Sequence, residues 1–277
     1  LTVDSPITAW NLFRVWLKQE NKMPAYTLRE MMAIAAARQI RDGDIVFCGT
    51  GISMLAAMAA KHISAPNSVI FFETGAIDSL LEEVPMAVAD PRVMYWTSVN
   101  GSLADAFAFM QNRHTGRRVV GIMGAAQIDR FGNLNSTVIG DYRNPRVRFS
   151  GSGGACDVAS FVGRTLIFMQ HEKRKFVNQL DYLTSPGWLQ GSEQREKAGL
   201  ASGGPSAVIT NMAVMGFDPS TREMVLEAVF PGISPHQVLE HMQFQVDISQ
   251  ARKYSPPTDT ELTILREKCD PQRLILG

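Results

Sequence analysis

The stretch Ser68-Val-Ile-Phe-Phe-Glu73-Thr-Gly75 is an apolar, β-branched and aromatic run that stops on one carboxylate and turns at once through glycine. A buried strand that delivers a carboxylate to its carboxyl end places it where open α/β sheets bind their ligands. Glu73 is therefore the first candidate for chemistry, and the competing reading is that it merely opens a loop. Two glycine turns offer complementary groups. Gly49-Thr50-Gly51 puts backbone amides at the start of a helix, which favours a phosphate or carboxylate nearby, although a tight turn needs glycine in any case. Phe149-Ser-Gly151-Ser-Gly153-Gly154-Ala-Cys156 sets small residues before a second helix. Such a loop allows close backbone approach, and its amides can donate to an oxyanion; close packing of two backbones is the alternative. Gln170-His171-Glu172-Lys173-Arg174 invites a metal or phosphate reading. Adjacent residues point to opposite sides, however, and no second histidine stands at ligand spacing, so solvated or subunit-interface charges are expected there.

The elements that must position these residues follow from pattern. Thr27-Leu-Arg-Glu30 is a capping box, and the helix it starts is expected to pass through Met31, Met32, Ala35, Ala36 and Ile40 and end near Asp42-Gly43. Ile45-Val-Phe-Cys48 reads as a strand, and an alanine- and methionine-rich helix then runs to His62. Strand, glycine turn and helix in that order make one α/β step. A helix from Leu103 to Gln111 and strands at Val119–Met123 and Arg164–Met169 continue the pattern. Asp129-Arg-Phe-Gly132-Asn133 has hairpin-turn chemistry. Ala207–Thr210 and Met224–Phe230 are expected as late strands paired across Gly216-Phe-Asp-Pro-Ser, with closing helices started by Ser234-Pro235 and by Thr258-Asp-Thr-Glu261. The fold class expected is α/β, an open, mixed, largely parallel sheet with flanking helices and a β-rich late portion.

The 277 residues suit one large domain or two small ones. With 27 basic and 27 acidic residues scattered along the chain, there is no electrostatic footprint for nucleic acid. No apolar run reaches the roughly 20 residues of a membrane span, and no signal-peptide order stands at the start, which points to a cytoplasmic protein. Cys48, Cys156 and Cys269 are odd in number and far apart, so free thiols are expected. Residues 1–22 look foreign to the rest of the chain. They are expected to be an N-terminal extension, non-native or flexible, with an added docking helix over Ile7–Leu17 as the alternative, and 23–277 are expected to form a single domain.

Taken in order, the motifs resemble the β subunits of family I CoA-transferases, most closely those of the glutaconate type. The carriers are Gly49-Thr-Gly51, Glu73-Thr-Gly75 with Asp78, Gly124-Ala-Ala-Gln127-Ile-Asp129, Gly132-Asn133-Leu-Asn135, Gly140-Asp-Tyr, Gly151-Ser-Gly153-Gly154-Ala, Gln170-His-Glu-Lys-Arg174 and Tyr182–Trp188. Singly each recurs widely, whereas together in this order they are specific, from about Tyr26 to near the C-terminus. The resemblance implies that Glu73 is the nucleophile. Thr74 stands where the family usually has Ser or Asn, which leaves the carboxylate in place. It further implies oxyanion or CoA contacts at Gly153, Gly154, Gly49, Gly51 and Gly75, with coenzyme A as a substrate and neither a permanently bound cofactor nor a metal. The α half's GGF motif is missing, so a CoA-transferase α subunit is the implied partner in a hetero-oligomer of αβ units, acting on an acyl-CoA and a glutaconate-like (di)carboxylic acid. Relatives that hydrolyse CoA thioesters, a decarboxylase with cysteine in place of the glutamate, and a non-catalytic structural subunit are the competing expectations.

Overall fold

In the computed structural model, residues 25–200 and 203–277 are described. The expected N-terminal extension and its docking-helix alternative lie outside them. Thr27 caps the first helix, Leu28–Ala37, its hydroxyl accepting from the Glu30 amide while the Glu30 carboxylate accepts from the Thr27 amide. Glu30 is fully buried, and its charge is met by Arg266 at 2.6 Å, which ties this helix to a closing π-helical segment, Ile264–Cys269. The helix ends earlier than its pattern implies. Arg38 turns its side chain to Glu261 and to the carbonyls of Ser255 and Pro256, and Gln39 and Ile40 donate only three residues back. Ile40 stays buried outside the helix.

The strands are β1 (Ile45–Phe47), β2 (Val69–Phe71), β3 (Ala76–Ile77), β4 (Val99–Asn100), β5 (Val119–Gly124), β6 (Gln127–Ile128), β7 (Leu134–Asn135), β8 (Val138–Gly140), β9 (Pro145–Arg148), β10 (Arg164–Met169), β11 (Pro205–Thr210), β12 (Ala213–Phe217), β13 (Met224–Val229) and β14 (Arg252–Lys253). Ten of them form one sheet in the order β14-β13-β12-β11-β10-β5-β1-β2-β3-β4. The central run from β11 to β2 is parallel, and antiparallel pairs flank it on both sides. This is the expected mixed, largely parallel sheet. One pairing differs: β11 and β13 do not meet, because β12 lies between them and pairs with both.

Alternation along the parallel strands divides the core in two. Val46, Ile70, Phe72, Val120, Ile122 and Leu166 face the helices Leu28–Ala37 and Ile52–Ile63, whose alanines allow close approach. Phe47, Phe71, Val119, Met123 and Ile167 face the opposite layer, where the helices Leu103–Gln111 and Ala155–Phe161 pack. The step of two from Phe71 sends Glu73 to that second face. All five central strands end at one edge, and the candidate residues follow those ends.

Candidate active site

Phe72 closes the strand that carries Glu73, its amide donating to the Ala76 carbonyl while the Gly75 amide donates to the Phe72 carbonyl at 3.1 Å. Gly75 has φ +99, and a Cβ there would stand 2.2 Å from the Gly101 carbonyl oxygen. Only glycine lets the strand turn here while β4 passes against it. The Gly75 amide is thus used within the turn. Beneath the turn lies an aromatic layer, with Phe47 against Phe71 at 5.2 Å, Phe71 against Phe109 at 5.4 Å and Phe47 against Phe107 at 6.4 Å. Edge-to-face contacts of this kind fix ring positions. They seat the helix Leu103–Gln111 under the carboxylate.

The loop Gly151–Gly154 reaches the same place from the other side. Ser136 pins it, donating through Oγ to the Gly151 carbonyl at 3.0 Å and accepting through its own carbonyl from the Gly151 amide. A Cβ on Gly154 would sit 3.6 Å from Glu73 Oε2 and 2.5 Å from the Phe107 ring, so Gly154 faces the carboxylate directly. Gly153 has φ +48 and open space where a side chain would be. No protein group among the described residues accepts from the amides of Gly153 or Gly154, or donates to the Glu73 carboxylate. A half-buried carboxylate thus stands against Gly154, whose amide, like that of Gly153, has no acceptor among the described residues. Such amides are suited to a developing oxyanion.

Gly49 and Gly51 follow β1, the strand beside β2, and neither has an atom within 4 Å of the position a Cβ would take. Gly51 caps the helix Ile52–Ile63. Cys48 precedes this turn, and burial pushes its thiol up to about 12, which makes it inert as a nucleophile. Cys269 is also buried and Cys156 is exposed; all three are free thiols. Thr74 carries a buried hydroxyl with no partner. No cluster of His, Cys, Asp and Glu suited to a metal ion occurs among the described residues.

His171 overturns its expectation. It is buried rather than solvated, stacked on Phe176 with ring centroids 4.4 Å apart, and Nε2 lies 3.0 Å from the Val238 carbonyl. Its backbone amide donates to Asn211 Oδ1 at 2.7 Å. The residue anchors the end of β10 to the helix Pro235–Glu240. Only its neighbours are surface charges: Glu172 pairs with Arg174 at 2.5 Å and with Lys175 at 3.5 Å.

The sequence pattern did not single out the basic hairpin β8–β9. Its residues Arg146 and Val147, with Phe149 just beyond it, wall a cavity of about 870 Å³ that opens at the carboxyl end of β5. On its other side the buried Gln127 accepts through Oε1 from Asn135 and from the Asp181 amide, and donates through Nε2 to Asp181.

Residues 29–241 match the coenzyme A transferase family. The B subunit of glutaconate CoA-transferase from Acidaminococcus fermentans is 41% identical over 252 residues, covering 89% of this chain and 93% of that protein. The B subunit of 3-oxoadipate CoA-transferase from Pseudomonas knackmussii is 35% identical over 245 residues, covering 88% and 94%. The crystal structure of glutaconate coenzyme A-transferase from Acidaminococcus fermentans matches with a TM-score of 0.89 at 40% identity, over 92% of this chain and 99% of that one.

Proposed function

This chain belongs to the coenzyme A transferase family, and we propose that it is the β subunit of an enzyme that moves CoA between an acyl-CoA and a glutaconate-like dicarboxylic acid through a thioester on Glu73. The observation that carries this reading is the Glu73 carboxylate held at the end of β2 against Gly154, with the Gly153 and Gly154 amides unengaged.

The steps balance without a redox partner or a net proton. A Glu73 carboxylate oxygen attacks the thioester carbonyl carbon, the C–S bond breaks, and CoA leaves as the thiolate from a mixed anhydride. The thiolate then attacks the Glu73 carbonyl of that anhydride and expels the first acid as its carboxylate. A glutamyl-CoA thioester remains. The acceptor carboxylate reverses the sequence and restores Glu73. Each attack places negative charge on a carbonyl oxygen, and the role assigned to the amides of Gly153 and Gly154 is to donate to it; losing one such donor typically costs about 2.7–4 kcal/mol of transition-state stabilisation. The open turn at Gly49 and Gly51 leaves room beside the thioester. The attacking group is a carboxylate oxygen, so the attack releases no proton and calls for no general base.

An anhydride survives only if water is excluded. Half-buried Glu73 is not closed off by the described residues, which supports an α subunit covering the site. The test is kinetic. With its α subunit co-expressed, varying both substrates should give parallel double-reciprocal lines, the pattern of a covalent exchange. Intersecting lines, or steady CoA release with no acceptor present, would replace this reading with direct transfer or hydrolysis.

A further inference from the structure

We infer that Phe107 decides whether the intermediate on Glu73 is passed to an acceptor acid or lost to water: its ring forms an apolar floor that keeps water from the carbonyl carbon of the Glu73 thioester. This rests on the reading of the chain as a CoA-transferase subunit and assigns to one side chain the task of keeping that enzyme from being a hydrolase.

Position comes first. The point that a Cβ on Gly154 would occupy lies 2.5 Å from Phe107 Cζ, 2.9 Å from Phe107 Cε1 and 3.6 Å from Glu73 Oε2. The far edge of the ring and the carboxylate therefore share the space against the Gly154 backbone. Packing fixes the ring there. Phe47 meets it edge-on at 6.4 Å and packs in turn at 5.2 Å against Phe71, two residues before Glu73 in the same chain run. Phe47 and Phe71 are buried, whereas Phe107 is half-buried and is the member of this layer that reaches Gly154. The helix Leu103–Gln111 that carries it starts in a capping box made by Ser102 and Asp105. At its other end Gln111 donates through Nε2 to Asp157 Oδ1 at 3.3 Å, which ties it to the helix that begins just after Gly154.

Chemistry comes next. Loss of the intermediate needs water as its one co-reactant. The water oxygen adds to the thioester carbonyl carbon, the C–S bond breaks, and CoA leaves as the thiolate and takes up one proton of the water. Glu73 is restored as a carboxylate, and the other proton passes to solvent. A water held for such an attack takes about three polar partners. A phenyl edge offers none, and it fills the volume in which the water would stand. Truncating the ring leaves a cavity that its surroundings close only in part. That cavity would be bordered by the Gly154 backbone and Glu73, which are groups able to hold a water, and a molecule of water needs only about 30 Å³. Phe107 is thus a specificity-determining residue, choosing between two acceptors of the same acyl group.

The experiment uses the co-expressed two-subunit enzyme and measures two rates for each variant: exchange of CoA between an acyl-CoA and an acceptor acid, and release of free CoA thiol with no acceptor present. Phe107→Ala should raise the ratio of release to exchange about tenfold, while Phe107→Leu, which keeps an apolar side chain in place, should stay within about twofold of wild type. A ring that serves packing alone would lower the unfolding temperature and scale both rates together, so an unchanged ratio in Phe107→Ala would overturn the inference. If Phe107→Ala does not assemble with the α subunit, Phe107→Val decides: a ratio above that of Phe107→Leu is expected, and a wild-type ratio would contradict the inference. A wild-type enzyme that releases CoA without exchanging it would sink the functional reading itself, and the inference with it.

Discussion

Two glycine turns meet at Glu73, and they are built on opposite terms. The turn through Gly75 is filled: its amide is bonded within the turn, and the Gly101 backbone occupies the place of a side chain. The turn through Gly153 is open, with no atom near its Cβ position and an amide that no protein group among the described residues uses. One glycine is required by packing and the other leaves room for a ligand. A glycine in a motif therefore identifies a site only once its surroundings are known.

Substitution should separate the two roles. Gly75→Ala places a methyl group on a backbone carbonyl at a φ that alanine avoids, and it should cost about 4 kcal/mol or prevent folding. Chemical denaturation measures this, and a loss below about 1 kcal/mol would show that the β4 edge can move aside. Second in size is a pH effect that tests whether the end of β10 is as rigidly packed as the Gly75 turn. Burial pushes the His171 imidazole down to about 4 from an ordinary 6.5, so between those values the folded chain holds fewer protons than the unfolded chain. Its contribution to stability is complete above pH 6.5 and falls by about 3 kcal/mol as pH drops towards 4. His171→Gln should flatten that part of the stability profile; an unchanged slope would contradict the buried, neutral ring. The smallest stability effect belongs to the open turn. Gly153→Ala adopts a tolerated left-handed conformation at a cost of about 1 kcal/mol, a Tm change of about 3 °C. Its catalytic loss should exceed that stability loss, and a variant with wild-type kcat would remove the Gly153 amide from the reaction.

The features legible in the sequence were those written in local chemistry. Glu73 ends an apolar run, the caps at Thr27 and Thr258 form, Ser234-Pro235 starts its helix with proline in the first turn, and the helix Leu103–Gln111 keeps its expected ends. The feature lost was a strand that looks like a turn. Ala213-Val-Met-Gly-Phe217 contains a glycine before Asp-Pro, yet Gly216 lies within the strand, with the end of the Glu227 side chain laid across it 2.1 Å from where a Cβ would be. There are two reversals where one was expected: the short turn at Thr210, whose hydroxyl accepts from the amides of Met212 and Ala213, and the turn at Asp218-Pro-Ser, where the Asp218 carboxylate accepts from the amides of Ser220 and Thr221 and the chain returns as β13. His171 misled for a similar reason: its charged neighbours are local, while Phe176 and Val238, which bury it, come from elsewhere in the chain. Arg146 carried no signal of its own, because the cavity it lines is assembled from several distant segments.

The central claim is the covalent bond to Glu73, and the direct measurement is the intact mass of this chain after incubating the two-subunit enzyme with acyl-CoA and no acceptor acid. The predicted result is an added mass of one CoA on this chain, removed by borohydride reduction and absent from Glu73→Ala. Free CoA accumulating steadily with no adduct on the wild-type chain would contradict it.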